Sequence, residues 1–150
     1  MRIVYILGFC LFASPCFCEA IDSDFKLSAT RSVAVVLLDD AEDGCWTNLR
    51  ETREYAEEKL SSKGAKIIPK EDYLTNSYAF IIHVVGYRNT IGCAARIGVR
   101  LETVTFIKNS NGDAIVHPAI ASRTGRLITV YDKANNEVLN VVKAFIDELN

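Results

Sequence analysis

The sequence predicts an α/β chain, more closely an α+β two-layer sandwich: one mixed, mainly antiparallel sheet with both helices on the same face. Three observations carry that expectation. Aliphatic, β-branched runs recur at residues 32–39, 65–69 and 78–88. A strand follows at 93–108, with period-two alternation over its first ten residues. Only two stretches have helical periodicity, one between the first two runs and one at the C-terminal end. The order β-α-β-β-β-β-β-α opens on a strand-helix-strand unit, which implies a right-handed crossover, and then folds back strand by strand into two layers.

Each element has its own signal. "SVAVVLLD" (32–39) is apolar at both parities, as in a strand buried on both faces. A helix is expected over 48–63: Asn48 and Glu51 have capping-box spacing. Leu49, Thr52, Ala56 and Leu60 fall on one face, Arg50–Glu54 and Arg53–Glu57 pair at i,i+4, and Gly64 is its stop. "AKIIP" (65–69) is a short strand, 72–76 a loop, and "YAFIIHVVGYR" (78–88) a central strand. In 93–108, Cys93, Ala95, Ile97, Val99 and Leu101 share one face, and Arg96, Gly98, Arg100 and Glu102 the other. The polar face is therefore expected to point away from the helices as a contact surface. "NSNGD" (109–113) is a hairpin turn. Residues 114–121 return, with Pro118 marking a bulge or edge, 122–125 turn, and 126–131 form the last strand. Asn135 or Asn136 is expected to cap a final helix with a stripe of Val138, Val141, Val142, Phe145 and Leu149.

Residues 1–20 read as a signal peptide. Arg2 opens it, residues 3–12 are almost wholly apolar, and Cys18-Glu19-Ala20 offers a cleavage pattern after Ala20, with Cys18 as the second choice. The apolar run is shorter than the roughly 20 residues a bilayer span takes, which leaves an uncleaved anchor as the alternative. Residues 21–31 are expected to be a flexible arm and 32–150 a single domain, periplasmic or secreted, with no membrane span after cleavage. Losing Arg2 and Glu19 leaves the net charge at −2, without the clustered positive excess that nucleic-acid binding needs.

Three of the five cysteines fall within the first 20 residues, leaving Cys45 and Cys93. Export favours their oxidation to one disulfide. Closing a loop of roughly 49 residues is worth up to ~4 kcal/mol in the chain-entropy model. The competing reading makes Cys45, just before a helix, a low-pKa nucleophile with His83 or His117 as its base. Asp39, Asp40, Glu42 and Asp43 resemble hard-cation ligands, but an EF-hand loop started at Asp39 puts Ala41 at its third position and Arg50 at its twelfth. A solvated loop favouring the following helix N-terminus is the simpler reading, and no metal or cofactor is expected. Trp46 reads as a lid on the disulfide or a partner anchor. Arg96 and Arg100, joined by Arg88, are candidates for holding an acidic partner or a phosphate.

The "VAVVLL" strand, a helix ending at Lys63-Gly64, the later antiparallel strands and the closing "NEVLNVVKAFIDEL" helix resemble the periplasmic sandwich domains of lipoprotein activators of penicillin-binding proteins and of the curli-secretion lipoproteins. Cys45-Trp46-Thr47-Asn48-Leu49 is similar to a stretch of uncharacterised small exported bacterial α/β proteins. The resemblance implies binding or assembly rather than catalysis. Unlike those lipoproteins, this chain has no lipidation context: Pro15 precedes Cys16 and Phe17 precedes Cys18. The expected function is an exported, soluble, non-catalytic binding module in cell-envelope assembly or regulation, its partner another envelope or exported protein. The alternatives are an inhibitor or immunity protein against an exported toxin or hydrolase, and a small thiol- or metal-dependent enzyme.

Overall fold

β1 (Ser32–Ala41) lies inside the sheet, which is why Val33, Ala34, Val35 and Val36 are all buried. The computed structural model describes residues 32–73, 77–103, 105–109, 112–116, 119–129 and 133–149. The expected signal peptide and arm, with Cys10, Cys16 and Cys18, lie outside the described residues, as do His117 and Pro118. After β1 come α1 (Leu49–Ser62), β2 (Lys66–Ile67), β3 (Ser77–Asn89), β4 (Gly92–Thr103), β5 (Thr105–Asn109), β6 (Gly112–Val116), β7 (Ala119–Thr129) and α2 (Ala134–Glu148). One sheet runs β2-β1-β3-β4-β7, and β5 and β6 form a separate ribbon. β1 pairs in parallel with β2 and β3, and β3, β4 and β7 pair antiparallel, so the sheet is mixed as expected.

α1 ends by the mechanism its glycine suggests. Gly64 takes φ 93°, its N–H donates to Ser61 O, and Ala65 N–H donates to Leu60 O. These are the two hydrogen bonds of a Schellman stop. Lys63 Nζ reaches the Leu149 carbonyl at 2.7 Å, tying the two helix ends together.

Both helices cover one sheet face. Val33, Val35, Phe80, Ile82, Val84, Ile97, Val99 and Leu101 supply the sheet side of the core. Ala56 and Leu60 of α1 meet them, with Val138, Val142, Phe145 and Ile146 of α2. Phe80 and Phe145 join sheet to helix with ring centroids 5.7 Å apart. Each fully buried Leu, Ile or Phe contributes about 1.5–3 kcal/mol of hydrophobic stabilisation. On the other face Val36, Ala79 and Ile81 form a smaller cluster against Leu38 and Tyr73.

Three local expectations are corrected. The strand expected over 93–108 is two strands, β4 to Thr103 and β5 from Thr105, which belong to different sheets. The turn expected at 122–125 is absent, because β7 stays paired with β4 straight through it. Gly125 is bare for a different reason: a Cβ there would stand 2.7 Å from Val141 Cγ2 of α2. Neither Asn135 nor Asn136 caps α2, which already begins at Ala134; the Asn135 side chain binds Thr47 instead.

Gly86 and Gly98 separate the two kinds of glycine in this sheet. A Cβ on Gly86 would meet Ala95 Cβ at 2.4 Å and Ala94 O at 2.7 Å, whereas one on Gly98 would meet only His83 O at 3.9 Å. Gly86→Ala is expected to lower the unfolding free energy by about 1–3 kcal/mol, the usual cost of overpacking. Gly98→Ala should stay within about 0.5 kcal/mol of the parent. Urea unfolding of both variants checks the contrast.

Candidate functional site

β1 runs into a short 3-10 turn, Glu42–Gly44, in which Asp43 takes φ 54° and Gly44 φ 71°. Such left-handed backbone is tolerated best by Gly, Asn and Asp. The reversal delivers Cys45 to β4, where Cys45 and Cys93 form a disulfide with Cα atoms 5.6 Å apart. Both sulfurs are buried, and Trp46 beside them is 2% exposed. Arg88 Nη2 donates to Gly44 O at 3.3 Å. On the far side of the loop, Thr47 N–H donates to Asn135 Oδ1 and Asn135 Nδ2 to Thr47 Oγ1. The segment 42–48 is thus bound to β4, β3 and α2 at once.

This geometry decides the chemistry of the loop. The disulfide consumes the thiol that would have been a nucleophile. The acids do not converge: Asp39 Oδ1 accepts from Ala41 N–H, and Asp40, on the opposite face by strand alternation, binds His83. Among the described residues no group of three or more His, Cys, Asp or Glu side chains is placed to hold a metal. Trp46 is core, so it offers no surface to a partner. Arg88 sits on the helix-facing side and does not join Arg96 and Arg100 on the other.

The face turned away from the helices is the candidate site. Register lays it out in rows from β1 to β7: Val36, Ile81, Arg100, Ser122; then Leu38, His83, Gly98, Thr124; then Asp40, Val85, Arg96, Arg126. Tyr87 and Ala94 begin the next row. Apolar side chains dominate the β1 side and arginines the β7 side. Val85 and Tyr87 are 44% and 56% exposed, and Ile91, in the β3–β4 turn, is 82% exposed. Val85, Tyr87, Ala94, Arg96, Thr124 and Arg126 line a groove of about 520 Å³. A second groove of about 300 Å³, with His83, Arg96, Gly98, Arg100, Ser122 and Thr124 on its walls, continues it over the bare Gly98.

His83 Nε2 lies 2.6 Å from Asp40 Oδ2, an ion-paired or hydrogen-bonded dyad. A hydrolytic triad would need a hydroxyl within about 2.6–3.2 Å of the free ring nitrogen. Ser122 and Thr124 stand two strands away, on the order of 10 Å at normal strand spacing. Arg100 is paired with Glu102. Sequence reasoning identified Arg96 and Arg100 but missed Arg126, Val85 and Tyr87. The period-two pattern of 78–88 contained the signal for the last two; Arg126 could be placed only once β7 was known to run unbroken.

No protein-family model matches the chain, and no curated protein matches it.

Trp46→Ala is expected to cost about 3–5 kcal/mol of stability, as large aromatic truncations in a core do. Replacing Cys45 and Cys93 together by alanine is expected to cost up to about 4 kcal/mol. The two effects should be less than additive because the groups touch one loop. Chemical denaturation of the three variants measures this; an unmoved midpoint for Trp46→Ala would mean that the indole is not core.

Proposed function

We propose that this chain is an exported, non-catalytic binding module that docks a second exported or cell-envelope protein on the open face of its sheet, in envelope assembly or regulation. One observation carries the reading. A two-layer sandwich needs only one sheet face for its core, and here the other presents exposed Val85 and Tyr87 beside Arg96, Arg100 and Arg126. Apolar surface rimmed by charge is the usual mark of a contact site. The disulfide supports an exported setting, because such bonds persist outside reducing compartments. The pattern resemblance to periplasmic sandwich domains points the same way. No helix among the described residues is long and apolar enough to cross a membrane. An inhibitor or immunity protein would suit the same stapled scaffold, and the identity of the bound partner separates the two readings.

A photo-crosslinking p-benzoylphenylalanine placed at Tyr87 or Thr124 of the full chain is expected to give one discrete adduct in the exported fraction of the native host. The same group at Lys143, exposed on α2, should give none. Equal labelling from all three positions, or silence at 87 and 124, would overturn the proposal.

A further inference from the structure

Arg96 and Arg126 are direct partners across the antiparallel β4–β7 pair. Side chains so placed have Cβ atoms about 4.5–5.5 Å apart, and like charges directly opposite each other are destabilising. Arg100, next along the same face, has Glu102 as its counter-ion. Neither Arg96 nor Arg126 has an ion pair or hydrogen bond among the described residues, and Asp40, the carboxylate of their row, is two strands from Arg96 and bound to His83. Among the described residues this guanidinium pair thus has no counter-ion, on a chain of net charge −2, beside the exposed Tyr87 and Val85 on the wall of one groove.

We infer that Arg96 and Arg126 form a receptor for one carboxylate of an acidic segment of the partner protein, with an apolar neighbour of that carboxylate seated on Tyr87 and Val85. The inference rests on the docking face proposed above and names its chemistry. Guanidinium forks bind carboxylate oxygens bidentately. A carboxylate between the two arginines removes the repulsion that the empty pair carries, so the site is complementary to the bound anion. Gly98, bare and unconstrained by packing, leaves the adjoining groove open for the chain that carries the anion.

The test uses the full chain and a synthetic peptide alternating leucine and glutamate, followed by NMR of backbone amides and arginine side chains. Saturable shifts are expected at Tyr87, Arg96 and Arg126. The glutamine version of the peptide should bind about tenfold more weakly or worse, the size of one lost charged hydrogen bond. Arg96→Gln with Arg126→Gln should weaken the acidic peptide comparably, and Gly98→Val should block it by filling the groove. The arginine double variant should unfold at an equal or higher urea concentration; a lower midpoint would make the pair structural and overturn the inference. So would equal binding of both peptides, no binding of either, or inorganic phosphate shifting the same arginines at lower concentration than the peptide. Combining the double variant with the Tyr87 crosslinker separates the two proposals. An undiminished adduct sinks the receptor but leaves the docking face, whereas no adduct in either background sinks the docking face itself.

Discussion

Phe80, Leu101, Phe145 and Leu60, none with measurable exposure, mark the seal on which the rest of the structure depends. The sheet buries one face against two helices, and all its large side chains without measurable exposure, such as Phe80, Ile82, Ile97 and Leu101, lie on that side. The two helices touch each other across one face, and among the described residues Tyr73, after its short turn, packs against the other face at the β1 corner. The open face is therefore a consequence of how the core closes. Its exposed tyrosine and valine stand where a third layer would otherwise be.

The same seal explains why the loop after β1 is structural. β1 ends at the edge of the helix layer, and the chain must turn sharply to start α1. Asp43 and Gly44 make the reversal, and the disulfide, Arg88 and Asn135 then hold it to three different elements. Closing a 48-residue separation with one covalent bond removes much of the unfolded chain's freedom. Trp46 fills the space beneath. Two of the four acids here are spent locally, Asp39 on an Asx-type turn and Asp40 on His83.

Electrostatics divide the open face. Near β1 the side chains are aliphatic and partly covered; toward β7 they are arginines. Arg100 is neutralised by its own strand neighbour, and Arg123, one residue over in parity, turns to Glu148 on α2. The alternation of a strand thus sends successive arginines to opposite duties, one to the helix layer and the next to the open surface. Arg96 and Arg126 are the pair left facing each other, beside the exposed aromatic ring.

The sequence by itself determined most local elements, because helix and strand periods and the Gly64 stop act over a few residues; Asn48 begins α1, but its side chain bonds the Glu51 and Thr52 side chains rather than closing a capping box. It also determined the division of the Cys93–Leu101 stretch into buried and wet faces, and the pairing of Cys45 with Cys93, the two cysteines outside the expected signal peptide. Only the tertiary structure decided what depended on register and approach between distant segments. Gly125 reads locally as a turn but is bare because α2 needs its space. Asn135 reads as a cap but serves Thr47, 88 residues away. Arg88 reads as a contact residue but faces inward, and of the two readings of Trp46, lid or anchor, its burial beside the disulfide fits the lid. Arg126 became a neighbour of Arg96 only through the β4–β7 register. A strand pattern tells which residues share a face; which strand lies beside it is set by how the whole core closes.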